Sequence, residues 1–247
     1  MREFNCLKHG NKRLSITILI LFLGIIFCLS TYDFLMREKG DKLINTSIVN
    51  NLAYNTSEDM FIKELEKAKE INEDVLGIIE IPHTEFRRFF VQSVDNKDYL
   101  AQDIYKEKNK TGVPFLDYRV NVDSNKLIIY GHNSVYYDAP FRFLENYYEE
   151  DFYKEHKFIN VRTEDKLLRF EIFSVYVEPS DWDYIKTDFN TKEEYKSHLE
   201  KLKGKSMYTS DVALDENDQI LILQTCSFKT EYKNYEKKFL LIVARRV

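Results

Sequence analysis

The sequence has little of what most cofactor sites need. Its seven glycines and four prolines form no glycine-rich phosphate loop, and its three cysteines form no Cys-x-x-Cys pair. The five histidines lie far apart and show no spacing typical of metal ligands. The sequence therefore predicts neither a cofactor nor a metal ion.

A strong charge of either sign is also missing. The chain carries 36 Lys and Arg against 41 Asp and Glu, a net charge of -5, and the basic residues are scattered among acidic ones. No basic field is available to attract a phosphate backbone, so nucleic acid is not an expected partner. With 247 residues, 44% of them hydrophobic, the chain suffices for one substantial domain with appendages.

Only one long hydrophobic run is present. Residues 14–29 carry no charge, and Ser30, Thr31 and Tyr32 extend the run to about the length that crosses a bilayer. Because basic residues precede the run, we predict a cytoplasmic N-terminus at 1–13 and an uncleaved signal anchor at 14–32. A cleaved signal peptide is the alternative, but its apolar region is usually shorter and ends in small residues.

The remainder of the chain is expected on the outer side of the membrane. Residues 33–57 are polar and lack strong periodicity, which indicates an extracellular stalk below a domain at 58–247. Apolar residues at helical spacing predict an amphipathic packing helix near 58–72. They are Phe61, Leu65, Ala68 and Ile71.

This topology separates the three cysteines. Cys6 would be cytoplasmic and Cys28 would lie within the membrane, which leaves Cys226 as the one cysteine of the exported domain. A lone exported cysteine is an inert buried thiol, an intermolecular disulfide partner or a reactive nucleophile. The cysteine count by itself favours the inert thiol.

From residue 76 onward, short apolar runs alternate with polar turns and predict a mainly β domain. The runs are LGIIEIP, RFFVQ, KLIIYG, LLRFEIFSVYVE, QILILQ and FLLIVA. Few helices interrupt them, so a mostly antiparallel closed or nearly closed sheet is favoured over βαβ units. A helix is predicted in the long connection before QILILQ, where Thr191 and Glu194 form a capping box and Gly204 can end the helix.

Two potentially reactive side chains follow predicted core strands. His132 comes after the strand 127–130 and Gly131, while Cys226 comes after the strand 220–223. If the two strands are parallel neighbours, a thiol and an imidazole meet at one rim, an arrangement that supports nucleophilic catalysis. The spacing alone leaves open whether the strands pair, and both residues could instead be ordinary turn and core residues.

Over about residues 70–247 the chain resembles the class B sortases. The matching stretches occur in the family's order: DVLGIIEIP at 74–82, DNKDYL at 95–100, FLDYR at 115–119, IYGHN at 129–133, FEIFSVY at 170–176 and Thr-Cys at 225–226. The predicted membrane anchor and the helix between the late strands also fit that family.

The resemblance implies an eight-stranded sortase β-barrel, with an N-terminal helix and a helix before the Cys-bearing strand, and a transpeptidase that needs no cofactor. Cys226 would attack the threonine carbonyl of a sorting-signal peptide near the C-terminus of another surface protein. His132 would protonate the departing amine and deprotonate the incoming amine of a peptidoglycan precursor or cross-bridge. Thr225 and Asn133, beside these two, are candidate substrate-binding residues.

One departure from the family concerns its arginine at the start of the last strand. Here the basic residues in the stretch after Cys226 are all lysines, and a gapless alignment from Ala244 puts Phe239 at the arginine position. A shift of one residue puts Lys238 there, and we treat Lys238 as the candidate replacement, with an ordinary solvated lysine as the alternative. Gln224 also replaces the small hydroxyl residue usual before Thr225.

Two other functions remain open at this point. A sortase-like barrel that has lost its arginine could be a non-catalytic peptide-binding module on the cell surface. A thiol hydrolase would release the peptide to water, and an added amine nucleophile would not divert its product. A redox role has less support because the predicted outer domain has no resolving cysteine.

Overall fold

The computed structural model describes residues 31, 58–179, 182–236 and 238–247. Nearly all of them belong to a compact unit, Ser57–Val247. Among the described residues, no helix is long and apolar enough to cross a membrane. Apart from Thr31, the predicted anchor at 14–32 and the stalk at 33–57 lie outside the described residues.

Eight strands and three helices make up the described part of the chain. The helices are α1 (Glu58–Ile71), α2 (Glu150–Glu155) and α3 (Lys192–Gly204). The strands are β1 (Val75–Glu80), β2 (Arg87–Val91), β3 (Phe115–Leu116), β4 (Lys126–Tyr130), β5 (Phe158–Thr163), β6 (Leu167–Glu178), β7 (Ile220–Cys226) and β8 (Phe239–Arg246). Short 3-10 turns connect some of them, including Arg142–Tyr148 and Asp183–Ile185.

The strands close into a barrel in the order β1-β2-β3-β4-β7-β8-β6-β5. Antiparallel pairing of β5 with β1 completes the closure, while β2–β3 and β4–β7 are parallel pairs. This confirms the predicted mainly β, eight-stranded barrel. Closure is a way for a small β domain to protect its backbone hydrogen-bonding groups, and here the weakest junction is that of β2 with β3, which pair only at Val91 and Phe115.

Two hydrophobic clusters lie on the two faces of the barrel wall. Side chains alternate along β7, so Leu221 and Leu223 enter the barrel interior, whereas Ile220 and Ile222 face outward. The outward-facing residues are covered by the connection between β6 and β7, which contributes Leu199 and Leu202 of α3. Burial of both faces explains why β7 is an unbroken apolar run.

The two predicted helices are confirmed, with differences in detail. On α1, Phe61, Leu65 and Ala68 are buried as expected, but Ile71 is 39% exposed because the helix ends there. The Glu194 amide donates to Thr191 Oγ1 at 3.1 Å, as a capping box requires. The Glu194 carboxylate, however, accepts from the Asn190 amide at 2.8 Å instead of from the Thr191 amide.

Candidate active site

The parallel pairing of β4 with β7 brings His132 and Cys226 to the same end of the barrel. The register matches Tyr130 with Gln224. The Gly131 amide then donates to the Gln224 carbonyl at 3.1 Å, which continues the pairing beyond the last residue of β4. Two steps past Tyr130 is His132, and two steps past Gln224 is Cys226, so the two segments carry these residues side by side.

Thr225 joins the two segments by a hydrogen bond on the inner face of the barrel wall. It is fully buried and has the same strand parity as Leu223, which lies in the barrel interior. Its Oγ1 donates to the Gly131 carbonyl at 2.7 Å. By alternation, Cys226 points to the opposite, outer face, and the Cys226 residue is only partly buried.

Gly131 leaves space for the ring of Phe141 that a residue with a Cβ would fill. A Cβ at this position would lie 2.5 Å from the nearest ring carbon of Phe141, which is fully buried. The Phe141 amide also donates to the His132 carbonyl at 2.9 Å. The close packing of the Phe141 ring therefore helps to fix the backbone conformation at His132.

The His132 ring contacts the loop that precedes β3. Its Nε2 lies 2.9 Å from the carbonyl oxygen of Leu100. A carbonyl only accepts hydrogen bonds, so Nε2 carries the hydrogen in this arrangement, and Nδ1 is the free acceptor of the neutral ring. The contact orients the ring and leaves Nδ1 as the nitrogen that does not bind Leu100.

Asn133 forms a second link between the two segments. Its Nδ2 donates to the Cys226 carbonyl at 2.8 Å and to Glu145 Oε1 at 2.9 Å. The residue is only 6% exposed. Thr225 and Asn133 are thus engaged within the protein, and their predicted contacts with a substrate stay a prediction.

Aromatic side chains cover the outer face near Cys226, and the sequence did not single them out. Tyr184 is buried and donates to Gln224 Oε1 at 3.4 Å. Trp182 is 6.3 Å from Tyr184 and 5.5 Å from Phe239, between ring centroids. Burial, with the nearby Glu178 and Cys226 groups, raises the pKa of Tyr184 well above its usual range, so its hydroxyl remains protonated.

Asp117 organises a polar cluster next to this aromatic surface. Its buried carboxylate binds Arg119 at 2.9 and 2.7 Å and accepts from the Tyr130 hydroxyl at 2.7 Å. Burial opposes ionisation of Asp117, but the bonds from Arg119 and Tyr130 outweigh it, so its pKa is below the usual value. Because Arg119 also donates to the Ile185 carbonyl at 3.0 Å, it is committed to structural contacts.

The chain is similar in sequence to known proteins of one family. The Sortase domain family model matches residues 79–247. A curated relative, sortase B of Listeria monocytogenes, is 35% identical over 187 residues, which cover 74% of this chain and 74% of the relative. The chain belongs to the sortase family, class B.

Solved structures agree with this assignment. A Staphylococcus aureus sortase B-substrate complex superposes with a TM-score of 0.67 and 29% identity, covering 76% of this chain and 86% of that one. A sortase B complexed with triglycine gives a TM-score of 0.69 and 26% identity, covering 88% of this chain and 98% of that one. Sortases are cysteine transpeptidases, and the present sortase is therefore an enzyme of this type.

An aromatic residue begins β8, where the resemblance led us to expect an arginine. The β7–β8 register places Phe239 directly opposite Cys226. Lys238 precedes it and accepts a hydrogen bond from the Ser227 amide through its carbonyl, at 2.5 Å. Alternation puts the Phe239 side chain on the face of Cys226 and directs Lys238 to the other face. The catalytic role of Lys238 stays a prediction that this register does not favour.

No group of three or more His, Cys, Asp or Glu side chains that could hold a metal ion occurs among the residues described by the structure. The parallel β4–β7 pair brings the Cys226 thiol and the His132 imidazole to the same end of the barrel. This is sufficient for acyl transfer through a covalent intermediate.

Proposed function

We propose that this sortase cleaves a C-terminal sorting motif of surface proteins and transfers them to an amine of peptidoglycan. The observation that carries the proposal is the in-register placement of His132 beside Cys226 at the end of the parallel β4–β7 pair. The substrate complex and the triglycine complex of related sortases B support a peptide donor and an amine acceptor for the present chain as well.

In this reaction Cys226 supplies the nucleophile and His132 transfers the protons. The Cys226 thiolate attacks the carbonyl carbon of the motif, the peptide C–N bond breaks, and a thioester forms on Sγ. The protonated His132 ring gives its proton to the departing amine. The incoming amine loses a proton to His132 as it attacks the thioester, which releases the new amide and restores the thiolate.

Intact-protein mass spectrometry tests the first half-reaction. We expect residues 33–247, incubated with a library of sorting-motif peptides, to gain the mass of one acyl fragment, and the Cys226→Ala variant to gain none. Adding triglycine should discharge the adduct and produce a peptide–triglycine product. An adduct that is discharged only by water would identify a thiol hydrolase.

Peptide binding without acylation is the result that would contradict this proposal, and the apolar ring of Phe239 opposite Cys226 is the feature that would favour it. In that case no peptide would form an adduct, although the domain is folded and its thiol reacts with iodoacetamide. Peptide binding would then be measurable by calorimetry and would be unaffected by Cys226→Ala.

The cellular location forms part of the proposal. Residues 14–32 would anchor the protein in the cytoplasmic membrane by a single pass, with residues 1–13 inside and the catalytic domain outside. We expect the full chain in the membrane fraction, with its domain degraded by protease added to intact protoplasts. A chain lacking residues 1–32 should be recovered in the soluble fraction, and a protease-resistant domain in intact protoplasts would exclude this orientation.

A further inference from the structure

Glu145 lies where the segments that carry the two reactive residues converge. It belongs to the 3-10 turn Arg142–Tyr148. Its Oε1 accepts from Asn133 Nδ2 at 2.9 Å and from the Phe228 amide at 3.2 Å. Its Oε2 pairs with Arg142 at 2.7 Å. One carboxylate therefore holds the residue after His132 and the second residue after Cys226.

Asn133 extends this contact to the nucleophile itself. The same Nδ2 that donates to Glu145 donates to the Cys226 carbonyl at 2.8 Å. Since Asn133 is 6% exposed and the Glu145 side chain 17% exposed, water competes little for these bonds. Asn133 Oδ1 is buried and has no hydrogen-bond partner among the described residues, so Nδ2 is the part of the amide that holds this residue in place.

A second contact fixes the same 3-10 turn to the loop after Cys226. The Tyr148 hydroxyl donates to Ser227 Oγ at 2.5 Å. The Tyr148 ring also stacks on Tyr232 at 6.3 Å, and Lys229 Nζ lies 4.3 Å from its centroid. The loop that follows the nucleophile is thus docked on this turn at two places, Glu145 and Tyr148.

We propose that Glu145 is a positioning residue for transpeptidation, which acts through Asn133 and the Phe228 amide to hold Cys226 beside His132. The inference rests on the proposed function. A carboxylate suits the position because Asn133, Phe228 and Arg142 all present donors, and an ionised acceptor binds donors more strongly than a neutral one. Small displacements of reacting groups cost large factors in rate, which gives the contact a catalytic consequence.

Three variants separate positioning from simple stability. Glu145→Ala removes every bond of the carboxylate. Glu145→Gln keeps an oxygen that can accept from both Asn133 and Phe228, because both bonds go to Oε1. Glu150→Ala is the matched control, since Glu150 forms an exposed ion pair with Lys154.

The readouts are steady-state kinetics with a sorting-motif peptide, thermal unfolding, and hydrogen exchange of the segments containing Asn133 and Phe228. For Glu145→Ala we expect kcat to fall by about 10- to 100-fold, KM to stay within about threefold, and exchange at Phe228 to rise. Glu145→Gln should recover kcat to within about threefold of the parent, and Glu150→Ala should match the parent throughout.

The inference is overturned if Glu145→Ala keeps the parental kcat, or if Glu145→Gln loses as much as Glu145→Ala. If Glu145→Ala does not fold, Asn133→Ala decides, because it removes the side chain that joins Glu145 to the Cys226 carbonyl and keeps the bond between Glu145 and the Phe228 amide. This variant should also lower kcat, and a parental kcat would refute the inference. A parent that forms no acyl-enzyme contradicts the proposed function instead. Exchange at Phe228 and the alkylation rate of Cys226 would then still show whether Glu145 holds this segment.

Discussion

Replacing Gly131 by alanine tests the close approach that supports the His132 backbone. The new Cβ would lie 2.5, 2.6 and 2.9 Å from three ring carbons of Phe141, and a real Cβ contact requires more than 3 Å. Gly131 is not among the residues with positive φ, so the conflict is one of space and not of backbone conformation. Because Phe141 is fully buried, its ring cannot swing into solvent.

We expect Gly131→Ala to lower the free energy of unfolding by about 1–3 kcal/mol, the usual cost of overpacking a dense core. For a domain of this size the melting temperature should fall by about 2–12 °C. The strain is relieved by moving either the ring or the backbone next to His132. We therefore also expect kcat to fall, by about 100-fold if His132 shifts by about 1 Å.

A double-mutant cycle with Phe141→Leu checks this reasoning. The leucine removes the ring carbons that meet the new Cβ, so the two substitutions should compensate each other. Urea unfolding of the four proteins should give a coupling free energy of about 1–2 kcal/mol in the favourable direction. Penalties that add to within about 0.5 kcal/mol would refute the assigned contact.

Three further predictions concern other groups near the wall of the barrel. Thr225→Val removes the buried donor to the Gly131 carbonyl and should cost about 1–3 kcal/mol in urea unfolding, whereas Thr225→Ser keeps the hydroxyl and should cost less. His198, whose pKa is lowered to about 3 by burial and by Lys126, should make stability fall as pH drops from about 6.5 towards 3, because the unfolded chain binds the proton that the folded chain does not. His198→Gln should flatten that dependence in unfolding curves measured across this range. If Lys238 replaces the family arginine, Lys238→Ala should lower kcat by about 100-fold and Lys238→Arg should restore it.

A specific result would contradict each of the three predictions on Thr225, His198 and Lys238. Equal stability of the valine and threonine proteins would show that the Thr225 bond contributes nothing. If the pH dependence is unchanged in His198→Gln, other groups cause the loss of stability in acid. Asp117 is one such group, because its lowered pKa also makes stability fall in acid. A parental kcat in Lys238→Ala would indicate that backbone amides, and not Lys238, stabilise the negatively charged oxygen of the tetrahedral intermediate. That result would agree with the position of Phe239 opposite Cys226.

The sequence predicted the elements whose signal is local. Short apolar runs marked β1, β2, β4, β6, β7 and β8. Helical periodicity marked α1, and a capping box marked α3. It did not mark β3, which has two residues, or β5 and the six-residue α2, where mixed polar and apolar residues give no period. Short elements are held by tertiary pairing, so their own residues carry little evidence for them.

In the active site too, some features have a local sequence signal and others depend on tertiary contacts. The local residue pattern predicted that His132 and Cys226 lie at the ends of two core strands, and the matching stretches resemble class B sortases. In the structure β7 extends further than predicted, so that Cys226 is its last residue. The three-dimensional contacts are needed to show that β4 and β7 are parallel neighbours in register, that Phe239 lies opposite Cys226, and that Glu145 joins the two segments. Strand order, register and side-chain convergence depend on contacts between residues far apart in the chain, such as Asn133 and Cys226, and no local pattern of residue types encodes those contacts.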